Sequence, residues 1–139
     1  MNKEWYECRV RYEKTLDTGE RKKVTETYVV KAVSVSDAET RVIEELTPLI
    51  EGEFAVNSVK EASFRELFLG EGEKFYLCKL VFVSFDERSG KEKKSVNPVL
   101  LQADDFDDAS RRLAKAMQGT VSDYEIFSVA ETPVLDIFG

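Results

Sequence analysis

The chain contains no histidine among its 139 residues. Histidine is the commonest general acid–base side chain, the usual partner of a nucleophilic serine or cysteine, and a frequent zinc ligand. Its absence excludes such triads, dyads and zinc sites, so any catalysis would rest on carboxylates, lysine, tyrosine or cysteine. Phosphate-binding glycine loops and nucleophile-elbow motifs are missing too. The sequence therefore predicts no catalytic residue, no cofactor and no metal site.

Cysteines and long apolar runs are also scarce. Two cysteines, Cys8 and Cys78, are too few for a disulfide scaffold and form no C-x-x-C pair. No segment approaches the roughly 20 apolar residues that a membrane span needs. The opening MNKEWYECRV lacks the apolar core of a signal peptide. We therefore expect a soluble cytoplasmic protein that does not bind membranes.

The residues that are present describe a folded acidic domain. Apolar residues make up 42% of the chain and charged residues 34%, which is enough apolar material to offset the entropy of ordering. The length suits a single domain. The net charge of −7 repels phosphate backbones, so nucleic-acid binding would need a local basic patch.

The sequence contains an internal repeat. The segment WYECRVRYEKTLDTGERKK, which begins at Trp5, aligns with FYLCKLVFVSFDERSGKEKK, which begins at Phe75. Identities at matched positions include Tyr6 and Tyr76, Cys8 and Cys78, Gly19 and Gly90, Ala32 and Ala103, Asp37 and Asp108, and Phe68 and Phe138. We interpret this as a duplication that gives repeats at 4–69 and 74–139, packed together as one compact domain over residues 1–139.

Each repeat has the pattern of a β-hairpin, a helix, a strand and a short extended piece. The alternation from Tyr6 to Tyr12 predicts a half-buried strand, and LDTGE predicts its turn. Ser34 and Asp105 are expected to cap the two helices. The expected core stripes are Ala38, Val42, Leu46 and Leu49 in one helix, and Ala109, Leu113, Ala116 and Met117 in the other. The predicted class is α+β: a tandem duplication with antiparallel sheets, two main helices and pseudo-two-fold symmetry.

The first strand of the second repeat is apolar on both faces. Its second face carries Phe75, Leu77, Val81, Val83 and Phe85. Such a strand is typical of a sheet that is covered on both sides. The pattern also fits an exposed patch that binds a protein partner or forms a homodimer. A proline in the returning strand, Pro98, predicts an edge or a bulge there.

Basic residues cluster at the two hairpin ends. They are Arg21, Lys22 and Lys23 in the first repeat, and Lys91, Lys93 and Lys94 in the second. Beside aromatic residues, such clusters can hold an anion or single-stranded nucleic acid. Lysines at sheet edges also suppress aggregation without binding anything. Anion binding is therefore the less favoured interpretation of these ends.

Two further features have both a structural and a functional interpretation. The acidic stretch Asp104–Asp108 has the ligand type that divalent cations prefer. It lacks the calcium-loop spacing, however, and helix capping explains it better. Cys8 and Cys78 occupy matched inward positions. They are either small buried hydrophobes or a pair that meets across the symmetry axis.

The duplicated WYECRVRYEK and GERKKVTE segments, together with ADDFDDA, carry a resemblance. Nearly the whole chain resembles a family of small acidic proteins from gut Bacteroidetes that is described only as a domain of unknown function. The resemblance implies a small bacterial cytoplasmic domain and brings no catalytic residues. We predict a non-catalytic interaction module that binds a protein partner or a second copy. The alternatives are a binder of single-stranded nucleic acid or another polyanion and, more remotely, a carboxylate-based enzyme at the repeat junction.

Overall fold

A computed structural model describes residues 4–139 of the chain as two compact units. Unit 1 contains the residues up to Ala62 together with Pro133–Gly139, and unit 2 contains Ser63–Thr132. In chain order, the elements of the described residues are β1 (Glu4–Thr15), β2 (Arg21–Ala32), α1 (Val35–Leu46), β3 (Phe54–Glu61), β4 (Glu66–Phe68), β5 (Lys74–Phe85), β6 (Glu92–Ala103), α2 (Phe106–Ala116), β7 (Asp123–Glu131) and β8 (Val134–Phe138). The predicted α+β class is confirmed.

Each unit is built on one four-stranded sheet. The first sheet, in unit 1, has the strand order β3-β1-β2-β8, and the second sheet, in unit 2, has the order β4-β6-β5-β7. The hairpins and the third strands pair antiparallel, as predicted. The short fourth strands differ, since β8 runs parallel to β2 and β4 runs parallel to β6. Both sheets are therefore mixed.

The fourth strand of each sequence repeat lies in the sheet that the other repeat forms. β4 follows β3 in the chain but pairs with β6, and β8 follows β7 but pairs with β2. The two units consequently do not coincide with the repeats 4–69 and 74–139. Both repeats have the element order β-β-α-β-β, which is what the duplication hypothesis expects. A single compact domain over residues 1–139 stays a prediction.

One helix covers one face of each sheet and completes that unit's core. Successive residues of a strand point to opposite faces, so every second side chain of a hairpin points toward the helix. The core of unit 1 comprises Tyr6, Cys8, Val10, Tyr28, Val30, Ala32, Ala38, Val42, Leu46 and Ile50. The core of unit 2 comprises Tyr76, Cys78, Leu80, Val99, Leu101, Ala103, Ala109, Leu113 and Met117.

The core residues predicted for the two helices are buried except near the C-terminal end of each helix. Leu49 is 68% exposed, and Ile50 is buried in its place. The reason is that α1 ends at Leu46, and the chain then turns so that the Ile50 N–H donates to the Leu46 carbonyl at 2.8 Å. In unit 2, Ala116 is exposed at the end of α2 and the neighbouring Met117 is buried.

The two helices begin with the same cap. The Ser34 hydroxyl accepts from the Asp37 N–H at 3.0 Å, and the Asp105 carboxylate accepts from the Asp108 N–H at 2.8 Å. Asp37 and Asp108 accept in turn from the backbone N–H of the residue before the cap, at 3.0 Å in both units. Each also forms an ion pair with the arginine four residues later, again at 3.0 Å. Both predicted caps are confirmed.

Candidate functional site

Each sheet has a face that points away from its helix, called here the distal face. On the first sheet this face carries Trp5, Glu7, Arg9, Arg11 and Glu13 of β1 and, on β2, Arg21, Lys23, Thr25, Thr27, Val29 and Lys31. Two ion pairs cross it, from Lys60 to Glu7 at 3.8 Å and from Arg21 to Glu13 at 3.7 Å. Thr27 and Val29 of this face are buried, and the exposed part of the distal face of the first sheet is charged, with cations in excess.

The distal face of the second sheet is mainly apolar. It carries Phe75, Leu77, Lys79, Val81, Val83 and Phe85 of β5 and, on β6, Glu92, Lys94, Val96, Pro98, Leu100 and Gln102. Exposure increases along this face toward the hairpin turn. Phe75 is 3% exposed and Leu100 2%, whereas Val96 is 54% and Phe85 68% exposed. The five apolar positions singled out in the sequence thus share one face that is buried at one end and open at the other.

Both sheets have a β-bulge at the same place. The pairing of β1 with β3 leaves Asn57 as the extra residue, and the pairing of β5 with β7 leaves Phe127. A bulge re-aims the side chain of its extra residue relative to the ladder. Asn57 is exposed, and Phe127 is 74% exposed. The same backbone irregularity therefore presents an amide in unit 1 and an aromatic ring in unit 2.

A groove of about 340 Å³ lies on the distal face of the second sheet. Its lining residues are Ser63, Leu77, Lys79, Val81, Val96, Pro98 and Phe127. All of them belong to unit 2, and most are apolar. Sequence reasoning missed Val96 and Phe127, because their part in the groove depends on the strand register and on the bulge.

Pro98 fits into β6 without losing a bond to β5. Its carbonyl accepts from the Arg65 N–H at 2.8 Å on the side of β4. A residue's nitrogen and carbonyl point to the same side of a strand, so the missing proline N–H faces the side of β4 as well. Pairing of β6 with β4 begins only at Val99. The sequence predicted either an edge or a bulge at Pro98. The part of β6 before Val99 is an edge that does not pair with β4, whereas the bulge of this sheet lies in β7.

Among the residues that line the groove, Lys79 carries the positive charge. It lies on β5 between Leu77 and Val81, opposite Pro98 on β6. Within residues 4–139, no carboxylate oxygen lies within 4 Å of its ammonium group. The groove therefore combines an apolar lining with one exposed positive charge that has no partner within unit 2.

The predicted basic clusters are divided between the faces of their hairpins. Arg21, Lys23 and Lys94 are on distal faces, Lys22 and Lys93 are on the helix faces, and Lys91 precedes β6. In unit 1, Arg21 and Lys23 line a cavity of about 630 Å³ together with Arg11, Tyr12, Glu13 and residues 51–55. Arg11 joins this group because it is diagonal to Lys23 across the hairpin, a register that the sequence alone did not reveal.

A carboxylate shared by two tyrosines distinguishes unit 1 from unit 2. The hydroxyls of Tyr12 and Tyr28 donate to Glu26 at 2.7 and 3.0 Å. Burial is the largest cause, and this hydrogen bond the second, of a raised pKa in both residues. The pKa of Tyr12 is raised to about 12, and that of Tyr28 is raised as well. Both phenols are therefore held protonated, and the arrangement is a structural network on the helix face of the sheet.

The two cysteines are buried thiols, each in the core of its own unit. Burial raises the pKa of both Cys8 and Cys78 to about 11. A thiol with this pKa is almost fully protonated at neutral pH and is a poor nucleophile. The interpretation as small buried hydrophobes is the one that this environment supports.

The acidic stretch at the start of α2 belongs to the helix cap. Asp105 and Asp108 accept the capping hydrogen bonds, and a backbone N–H lowers the pKa of Asp108 with the help of Arg112. Among residues 4–139, no three potential ligands are grouped closely enough to hold a metal ion. In the same part of the chain, neither helix has the length and apolar character that a membrane span needs.

Comparison with known proteins identifies a family but no function. Searches of curated proteins and of solved structures both return no significant match. The family model that does match covers residues 4–139, the whole of the described chain, and its description is Domain of unknown function (DUF4494). The chain therefore belongs to the DUF4494 family.

Proposed function

We propose that this protein is a non-catalytic interaction module of the bacterial cytoplasm that binds another protein through the distal face of its second sheet. The observation that carries the proposal is the group of exposed apolar side chains around the groove, above all Val96 and Phe127. Single exposed apolar residues are common on protein surfaces. A contiguous apolar group beside a groove is instead typical of a surface that binds a partner.

The first sheet supports this proposal by comparison. Cys8 and Cys78 occupy equivalent register positions, opposite Tyr28 and Val99. From this alignment, Glu7, Arg11 and Asn57 are the counterparts of Leu77, Val81 and Phe127. A sheet with the same pairing and the same bulge forms with polar residues at these positions. The apolar character of Leu77, Val81 and Phe127 is therefore not required for this strand pairing, which supports a binding role for these three residues.

The test compares three forms of the full-length protein. The groove variant Leu77→Glu/Val81→Arg carries the residues of the first sheet, and the control variant Arg9→Gln/Arg11→Gln alters only the first sheet. We expect the wild type and the control to bind a protein, or a second copy, that the groove variant does not bind. Affinity purification detects a partner, and light scattering detects self-association. A set of interactions that is unchanged in a folded groove variant would refute the proposal.

Polyanion binding is a second candidate, supported by the distal face of the first sheet. Arg9 and Arg11 lie about 7 Å apart along β1, and within residues 4–139 neither has a carboxylate within 4 Å. Lys23 is diagonal to Arg11 across the hairpin. Unpaired cations at this spacing attract phosphate or sulfate groups.

Fluorescence anisotropy with a labelled single-stranded oligonucleotide tests this candidate. We expect weak binding that decreases with salt, by a slope of about 0.7 for each phosphate contacted, and that Arg9→Glu/Arg11→Glu abolishes. The matched variant Arg111→Glu/Lys115→Glu changes the charge by the same amount on α2, outside the basic clusters of the hairpins. Equal losses in the two variants would mean that net charge alone, and not this face, controls the binding.

A further inference from the structure

The groove of the second sheet also indicates the chemistry of its occupant, an inference that rests on the proposed function. We propose that the groove receives a short apolar segment of another protein, and that this segment carries one Asp or Glu side chain opposite Lys79. The apolar lining and the single unpaired cation are the two observations that lead to this partner.

Binding would change the surroundings of Lys79. In the free protein Lys79 is an exposed residue, so water surrounds its side chain. An apolar segment laid over Leu77, Val81 and Val96 would displace this water. A charge that loses water without gaining a partner opposes binding, whereas a carboxylate within hydrogen-bonding distance replaces the lost solvation. An occupant with one acid is therefore favoured over a purely apolar occupant.

The surrounding charges limit where the occupant can carry a second acid. Glu125 of β7 lies directly opposite Val81, and Glu92 lies opposite Phe85. Glu125 would repel a second acid of the occupant on the β7 side, whereas toward the hairpin turn Glu92 is offset by Lys94, which lies opposite Val83 on the same face. A run of acidic residues on the β7 side is thus disfavoured. A second copy of this chain is also disfavoured as the occupant, because two chains that each carry a net charge of −7 repel one another.

Selection from a displayed library of short random peptides tests the inference on the full-length protein. The targets are the wild type, Lys79→Glu, the groove variant Leu77→Glu/Val81→Arg, and the control Arg9→Glu, which reverses the counterpart of Lys79 in the first sheet. The peptides are displayed with a fused C-terminus, so that only a side chain can supply the carboxylate. Thermal denaturation confirms that each target is folded.

We expect the wild type and Arg9→Glu to enrich the same apolar peptides with one Asp or Glu. Lys79→Glu should enrich a similar apolar pattern with Lys or Arg at the position of the acid. For a synthetic peptide from the wild-type selection, replacing the acid by its amide should weaken binding about tenfold, which is typical of a charged hydrogen bond. The groove variant should enrich none of these peptides.

Two other outcomes separate the inference from the proposed function. Apolar peptides that bind the wild type without any acid preference, and that Lys79→Glu binds equally well, would overturn the inference and leave the proposed function standing. Lys79 would then extend its ammonium out of the groove into water. If the wild type enriches no peptide beyond those of the groove variant, the groove is not a peptide-binding surface and both proposals fail.

Discussion

The distal faces of the two sheets differ far more than the helix faces do. On the helix side, both units place a cysteine at the same register position and begin the helix with the same cap. On the distal side, the first sheet is charged and the second is largely apolar. The helix faces thus share one core pattern, whereas the exposed part of the distal face differs between the units. The function should therefore be sought where the units differ.

The fourth strand of each repeat pairs in the sheet of the other repeat, which qualifies this comparison. Deleting one of these strands tests its importance and should have the largest effect on stability. Deleting Pro133–Gly139 removes β8 from the first sheet, although the deleted residues belong to the second repeat. Val134 is buried, and the ring of Phe138 stacks on Tyr28 with 5.7 Å between the ring centroids. We expect unit 1 to lose about 3–5 kcal/mol of stability from the burial of these two side chains.

Hydrogen exchange measures this effect separately in each unit. The amides of β2 should lose protection, while those of β6 should keep it because the second sheet retains all of its strands. Leu135→Ala is the matched control, since this side chain of the same strand is 50% exposed. Full protection of β2 in the deletion variant would show that unit 1 does not depend on the exchanged strand.

The helix caps test the similarity of the units. Ser34→Ala and Asp105→Ala each remove the acceptor of one capping hydrogen bond. Loss of such an acceptor typically costs about 1 kcal/mol, so both variants should be destabilised by similar amounts in urea denaturation. Asp107→Ala in the first turn of α2 is the control, because this exposed residue is not the cap. If only Asp105→Ala lowers the free energy of unfolding, the two helix caps contribute unequally to stability.

The tyrosine network tests a difference within the cores. Below pH about 10, the raised pKa values of Tyr12 and Tyr28 contribute to stability, and this contribution is lost as the pH rises toward 12. Glu26→Gln removes the negative charge beside both phenols. We expect it to lower the titration midpoint of tyrosinate absorbance and to reduce the loss of stability between about pH 10 and 12. Burial is the larger cause of the shift of Tyr12, so the midpoint should remain above 10.

The exposed Glu125→Gln is the control for this titration, because Glu125 has no hydrogen bond to either tyrosine within residues 4–139. If Glu26→Gln leaves the midpoint unchanged, the two hydroxyls do not share the carboxylate in solution.

The local features of this fold could be predicted from the sequence. Alternation in β1, the LDTGE turn and the residues Ser34 and Asp105 depend on neighbours a few positions away, so the hairpins, helices and caps follow from short patterns. The pairing of β4 with β6 and of β8 with β2 is different. A segment as short as Glu66–Phe68 has no periodicity, and nothing local specifies which sheet it joins.

The candidate site was predictable only in part, for the same reason. Leu77 and Val81 were found because they alternate along one strand. Val96 reaches the groove through the register of β6, and Phe127 reaches it because the bulge shifts the alternation of β7. The alignment of the repeats does contain a signal that Phe127 and Asn57 are equivalent, because they precede the matched serines Ser128 and Ser58.

The smallest effect on stability should come from exchanging the two bulge residues. Phe127→Asn and Asn57→Phe each give a bulge the residue of the other unit. Among residues 4–139, only glycines have a positive φ, so neither substitution meets backbone strain. Both side chains are exposed, and substitutions at exposed positions usually change stability by less than about 0.5 kcal/mol. Urea denaturation should therefore show nearly the same midpoint for both variants and the wild type.

Binding, in contrast, should respond to only one of these two substitutions. Phe127→Asn removes a ring from the groove and should weaken peptides selected on the wild type, whereas Asn57→Phe should leave their affinity unchanged. Anisotropy with a labelled peptide measures both. A loss of stability above about 1 kcal/mol in Phe127→Asn would assign the ring to the folding of unit 2. The difference between the distal faces would then reflect packing, and the apolar groove would no longer indicate a partner.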